Sequence, residues 1–241
     1  MKKFLFIVLI IISFTSCKVT SFGGDQSKAL TSQPLLGTVG SFREGMTSTS
    51  FVEAGVPQLA EKIRLDVQKK PFQTGSLKKY NLKVLKEEEK LESIDSIDFR
   101  PDYFFLEISD KVGLIKALNG QENEDLRNFL EVTQKQVILS SMRIYFPSEI
   151  SVLIDQASEV YLVNNKKSSY SLELLDKDRS REIIEFSEGT SFGYNFSAFC
   201  WGENQRHKAE IAALRERNRS CPGKTKKNPD KVRSKDVFDK L

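Results

Sequence analysis

At 241 residues, with 29% charged and 10% aromatic side chains, the chain has the composition of a globular protein long enough for one large domain or two small ones. A single histidine and three cysteines exclude a transition-metal site of the usual kind. The net charge of +4 is unevenly spread: acids outnumber bases from Glu87 to Glu131, whereas Arg206 to Leu241 holds twelve Lys or Arg against five Asp or Glu.

In chain order, Lys2 and Lys3 lead an unbroken apolar run from Phe4 to Ile12, extended by Ser13 and Phe14. Thr15 and Ser16 then precede Cys17. Cationic start, apolar run and small residues are the three parts of a bacterial export signal. The run is too short to span a hydrocarbon core of about 30 Å, which needs about 20 helical residues, so an uncleaved transmembrane anchor is not expected. Small, small, cysteine after the apolar run resembles the lipobox of bacterial lipoproteins. With Phe14 where most carry Leu, it is of the looser kind found in Bacteroidota-like bacteria. Phe14 fits the pattern of an ordinary secretory signal badly; that signal, with an incidental cysteine, is the alternative.

The resemblance covers only the first eighteen or so residues. It implies that residues 1–16 are removed, that the Cys17 thiol carries diacylglycerol, and that the new amino group is acylated, typically by palmitate. Several chains at about 0.8 kcal/mol per buried CH₂ make an effectively permanent anchor. Lys18 after the cysteine, with no acid before Asp25, suggests the outer membrane with the domain facing the periplasm. With Cys17 assigned to lipid, Cys200 and Cys221 remain. In an oxidising compartment an even remainder reads as one disulfide, closing a loop of about 20 residues and contributing about 3 kcal/mol.

Residues 17–50 are rich in Ser, Thr and Gly and read as the lipidated cysteine and a tether. A single α+β domain is expected over 51–221. Ile63, Leu65 and Val67 alternate with Arg64, Asp66 and Gln68, and Tyr80, Leu82 and Val84 repeat the pattern after Pro71 and Gly75, which predicts a strand pair. "KEEEKLESID" reads as a short helix. "YFFLEIS" predicts a strand, Asp110 caps a helix through "KVGLIKALN", and "EDLRNFLEVTQ" is a second helix capped by Asn123. "QVILSSMRIYF" is a strand, "EISVLIDQA" a helix and "EVYLV" a strand.

This order suggests a β-α-β-α-β section with crossovers on a mixed sheet. An antiparallel meander follows, through "YLVNNKKSSYSLELL", "REIIEFS" and "TSFGYNFSAF", in which Phe192, Tyr194, Phe196 and Ala198 alternate on one face. "NQRHKAEIAALRERNR" predicts a C-terminal helix on its propensity and its stripe of Ala209, Ile211, Ala212 and Leu214. For Cys200 and Cys221 to meet, residues 201–207 would have to run back beside a helix of roughly 208–218. Residues 222–241 read as a basic, irregular tail.

Catalytic patterns are sparse. There is no HExxH, EF-hand loop, GxSxG, GxGxxG or GxxxxGK[ST], and His207 would serve any Ser–His pair alone. Glu107 and Asp110, at the end of an expected parallel strand, are a candidate carboxylate pair. Trp201, Arg206, His207 and Lys208 put an aromatic beside cations, a pattern suited to a ligand or partner contact; a core role for Trp201 over the disulfide is the alternative. The expected function is a non-catalytic, membrane-anchored envelope lipoprotein. Its basic C-terminal region would meet another envelope protein or an anionic envelope component, with no cofactor and no nucleic acid. The rival is an anchored hydrolase acting on envelope glycan or peptide through a carboxylate pair.

Overall fold

The computed structural model describes residues 33–44, 49–86, 101–165, 169–216 and 218–232. Residues 1–32 with Cys17, "KEEEKLESID" after its first residue, Lys86, and the chain beyond Val232 lie outside the described residues. Among the described residues the chain makes ten strands: β1 (Val39–Glu44), β2 (Thr49–Gly55), β3 (Ile63–Pro71), β4 (Asp102–Ile108), β5 (Val137–Tyr145), β6 (Glu159–Asn164), β7 (Tyr170–Leu175), β8 (Arg181–Glu185), β9 (Thr190–Glu203) and β10 (Ala209–Glu216). Four α-helices accompany them: α1 (Thr74–Lys86), α2 (Lys111–Leu118), α3 (Glu124–Val132) and α4 (Ser148–Gln156).

All ten strands belong to one sheet, ordered β10-β9-β5-β4-β3-β6-β7-β8. β1 joins β5 beyond the end of β4, and β2 pairs with β1. Every neighbouring pair is antiparallel. The expected α+β fold with a β-α-β-α-β middle on a mixed sheet is therefore corrected to a sheet-dominated, antiparallel fold with a large meander. The reason lies in the connections. Two helices, α2 and α3, separate β4 from β5, so the chain returns to the sheet end it left and the next strand runs backwards. The path through α4 then carries β6 past β4 to the far side of β3. Apolar periodicity locates such strands but carries no information on their direction.

Two further elements change type. The "KYNLKVLK" stretch, expected as a strand, is the second half of α1. Leu77, Tyr80 and Val84 share the i, i+3, i+7 face, with Tyr80 1% and Val84 6% exposed, while Leu82 points outward at 49%. The expected C-terminal helix is instead β10, paired with β9 from Ala209↔Glu203 to Glu216↔Ser197. Its helix propensity, a few tenths of a kcal/mol per residue, yields to a ladder that buries Ala209 and Ile211 against the sheet. Ala212 has no partner in the register, a bulge that lets both neighbours stay paired.

The stretch expected as a tether also enters the fold: Leu36 and Val39 are fully buried, and residues 39–44 and 49–50 are in β1 and β2. Gly37 adopts φ +86°, where a Cβ would meet the Tyr170 ring. Tyr170, buried, donates a short hydrogen bond to the Pro57 carbonyl, and burial pushes its phenol well above the usual range. The basic segment after Pro222 is pinned at Lys226, which exchanges two main-chain hydrogen bonds with Trp201.

Alternation divides the side chains of the central strands between two faces. Phe104, Leu106 and Ile108 of β4 and Met142 and Ile144 of β5 enter the main core, under Leu114, Leu118, Leu130 and Ile154 of α2, α3 and α4. On the opposite face Phe72, Tyr80, Val84, Tyr103 and Phe192 form a smaller cluster beneath α1. There burial and the neighbouring Tyr145 push the Tyr80 phenol up to about 12. Phe192 thus leaves the set of Tyr194, Phe196 and Ala198, which pack in the main cluster. A register shift between Arg143 and Ile144 in the β5–β9 ladder separates them.

Asp110 caps α2 as expected, its carboxylate accepting the Gly113 N–H at 2.8 Å. Asn123 holds the N-cap position of α3, but its side chain bonds elsewhere: it accepts from Gln58 N–H and donates to the carbonyls of Gln58 and Ala117. It ties the loop before β3 to the helices.

Two hairpin turns share one construction. Asp176 Oδ1 accepts the N–H groups of Asp178 and Ser180, and Arg179 adopts φ 61°. Asn204 Oδ1 accepts those of Arg206 and Lys208, and His207 adopts φ 58°. Each is an Asx-led turn with its fourth residue left-handed. The Ser180 hydroxyl and these amides hold the Asp176 carboxyl below its usual range. Arg179→Val, a β-branched residue at positive φ, is expected to lower stability by about 1–2 kcal/mol, whereas Arg179→Gly should not. Thermal unfolding of the two variants checks this.

Candidate functional site

The face opposite the main core is only partly covered by α1. Beside the aromatic cluster it opens into a groove of about 950 Å³ across β3, β4, β5, β9 and β10. Phe105 of β4 lines it, directly across the ladder from Arg143 of β5. Two cations approach the Phe105 ring: Lys70 Nζ at 4.8 Å from the centroid and Arg143 Cζ at 5.7 Å. Such contacts hold long cationic side chains over a sheet rather than letting them sweep through solvent. Arg143 is 7% exposed, a guanidinium set in a largely buried strand.

The floor is built from short polar side chains. Ser197 donates to Ser140 at 2.9 Å, Ser140 to the Asn195 carbonyl at 3.3 Å, and the Asn195 amide to Ser141 at 3.0 Å. These bonds fix the floor and leave hydroxyl lone pairs to spare. Phe42 of β1 forms part of the wall, edge-on to Phe196 at 4.8 Å.

The far wall is the segment after β10. Arg215 donates to the carbonyls of Glu216 and Arg219, and Arg219 pairs with Glu216 at 2.9 Å. The Cys200–Cys221 disulfide, with its Cα atoms 5.6 Å apart, fastens this segment to β9. The bridge expected from the cysteine count is therefore present. The route to it differs: a hairpin, not a helix, brings Cys221 back.

Of the other anticipated residues, Trp201 is 3% exposed and packs in the main cluster. Arg206, His207 and Lys208 are exposed in the β9–β10 turn, where His207 Nδ1 lies 2.5 Å from Glu203. The aromatic and the cations are thus placed apart. Glu107 and Asp110 are each committed: Glu107 pairs with Lys111 at 3.8 Å, and Asp110 caps α2. β4 is antiparallel to both neighbours, so the parallel strand end that suggested the pair does not exist.

A second cleft of about 680 Å³, between β3, β4 and α4, contains further carboxylates. There Glu159 pairs with Arg64 at 3.3 Å and Asp155 with Lys69 at 2.7 Å. The Asp155 carboxylate holds the Lys69 ammonium above its usual range. Among the described residues no group of three or more His, Cys, Asp or Glu stands together as metal ligands, and no helix is long and apolar enough to cross a membrane.

Sequence reasoning missed Lys70, Phe105, Arg143 and Arg219, which up to 149 positions separate along the chain. The one local signal was Arg143, the single charged residue of "QVILSSMRIYF". No protein-family model matches the chain, and neither a curated protein nor a solved structure matches it.

Proposed function

We propose that the protein is a lipid-anchored component of a bacterial outer membrane whose domain binds another envelope component from the periplasmic side without transforming it. The groove carries the binding half of this reading. It presents fixed cations, hydroxyls and ring surfaces on a rigid sheet, while the acids around it that are named above are held in ion pairs or a helix cap. The anchoring half rests on the export pattern ahead of Cys17, supported by the disulfide. The bridge uses Cys200 and Cys221, so Cys17 is the one cysteine of three outside it. A structural disulfide also suits an oxidising compartment. The basic residues from Arg206 onward would add attraction to anionic envelope surfaces.

The test is metabolic labelling with a palmitate analogue followed by envelope fractionation. Wild type is expected to label and to sediment with outer membranes. Cys17→Ser should lose the label and appear as soluble or unprocessed protein. Unchanged sedimentation and labelling of Cys17→Ser would refute the anchor.

A further inference from the structure

We infer that the groove on the open sheet face is a binding site for an acidic oligosaccharide, a chain of pyranose rings carrying carboxylates. This rests on the reading of the domain as a binding module and names its ligand class. Among the described residues five cations line the groove, Lys70, Lys111, Arg143, Arg215 and Arg219, against the carboxylates of Glu107 and Glu216. Its field therefore selects an anion. Its two acids each face a cation already, Glu107 with Lys111 and Glu216 with Arg219.

Three chemistries sit side by side. Guanidinium and ammonium groups match ring carboxylates. The Ser197–Ser140–Asn195–Ser141 chain offers hydrogen bonds to ring hydroxyls at fixed positions. Phe105 and Phe42 offer apolar surface to the C–H faces of the rings. A volume of about 950 Å³ is at the upper end for a small-ligand site and suits a short oligomer.

An acidic peptide fits less well. Peptides that bind sheets add to a free edge, where main-chain donors and acceptors are open. Here the floor belongs to the interior strands β4, β5 and β9, whose main-chain groups are engaged in ladders on both sides. An extended peptide laid across them meets side chains only. A lipid tail would cover the serines and the asparagine of the floor without replacing their hydrogen bonds.

The experiment is calorimetric titration of the full chain in nonionic detergent with trigalacturonate, neutral cellotriose and hexaglutamate. Trigalacturonate is expected to bind with a dissociation constant below about 1 mM and to weaken as salt is raised. Cellotriose and hexaglutamate should bind at least about 10-fold more weakly. Lys70→Gln and Arg143→Gln should each weaken trigalacturonate about 10-fold, the loss of one charge-assisted contact. Arg206→Gln/Lys208→Gln, in the exposed turn, should leave it unchanged. Circular dichroism confirms that each variant folds, and Lys70, half-buried at the groove rim, keeps the test available should Arg143→Gln misfold.

Absence of trigalacturonate binding at about 1 mM would overturn the assignment. So would equal binding of cellotriose, tighter binding of hexaglutamate, or full affinity in a folded Lys70→Gln. None of these results bears on palmitate labelling of Cys17, so the ligand and the anchor fail separately.

Discussion

Replacing Cys200 and Cys221 together by alanine is expected to destabilise the domain by about 3 kcal/mol, the chain-entropy value for a loop of this length. The two cysteines are 21 positions apart and enclose the end of β9, the turn and all of β10. Without the bridge the unfolded chain regains the freedom of that loop. The folded chain also loses packing, because Cys200 is fully buried. The hairpin has its own turn, built on Asn204, and its ladder with β9. The fold is therefore expected to survive as a weaker version of itself.

The segment after β10 should loosen most, since the bridge is what fastens residues 218–222 beside the groove. Urea unfolding followed by Trp201 fluorescence is the measurement. Trp201 is the chain's one tryptophan and is 3% exposed next to Cys200. A midpoint unchanged by the double replacement would mean that the bridge adds nothing to the ladder already there.

The second large effect is expected at Glu173, whose side chain is 6% exposed and lies 2.8 Å from Lys62 Nζ and 2.6 Å from the Arg181 guanidinium. The two sides of this cluster are unequal. Lys62 and Arg181 keep 40% and 62% of their side-chain surface in water, so either can rehydrate if the carboxylate is lost. Glu173 cannot. Glu173→Gln should therefore cost about 1–2 kcal/mol. Lys62→Met/Arg181→Met, which strands a buried carboxylate, should cost about 3 kcal/mol or more.

Adding Glu173→Leu to that pair should restore most of the loss, because an apolar side chain has no charge to strand. Denaturant titration of the three variants gives the order. If the cation pair proved cheaper to remove than the carboxylate, water would have to reach Glu173 in the folded state.

Much of this molecule could be read locally. Alternation in "EKIRLDVQK" marks β3, and Asp110 before an apolar helix marks a cap, because each depends on neighbours a few residues away. The two changes of element show where local reading ends. Tyr80, Leu82 and Val84 satisfy a period of two over five residues, but Leu77 and the buried aromatic cluster under α1 select the helical period. In β10, Ala, Glu, Leu and Arg favour a helix by tenths of a kcal/mol each, and the ladder with β9 outweighs them. The groove was not legible at all, apart from Arg143. Phe105 faces Arg143 only because β4 and β5 pair in one register, and a slip of one strand by one residue would send its member of the pair to the opposite face.

By themselves the residues determined the pairing of Cys200 with Cys221 and the position of most strands and helices. Tertiary structure alone decided that every strand pair is antiparallel, that residues 39–44 belong to the sheet, and that five distant cations line one groove. The difference is one of range. Periodicity, caps and turns are energies between residues within about a turn or two of each other. Strand direction and the make-up of a face are settled when segments many tens of residues apart bury a common core, which no window along the chain contains.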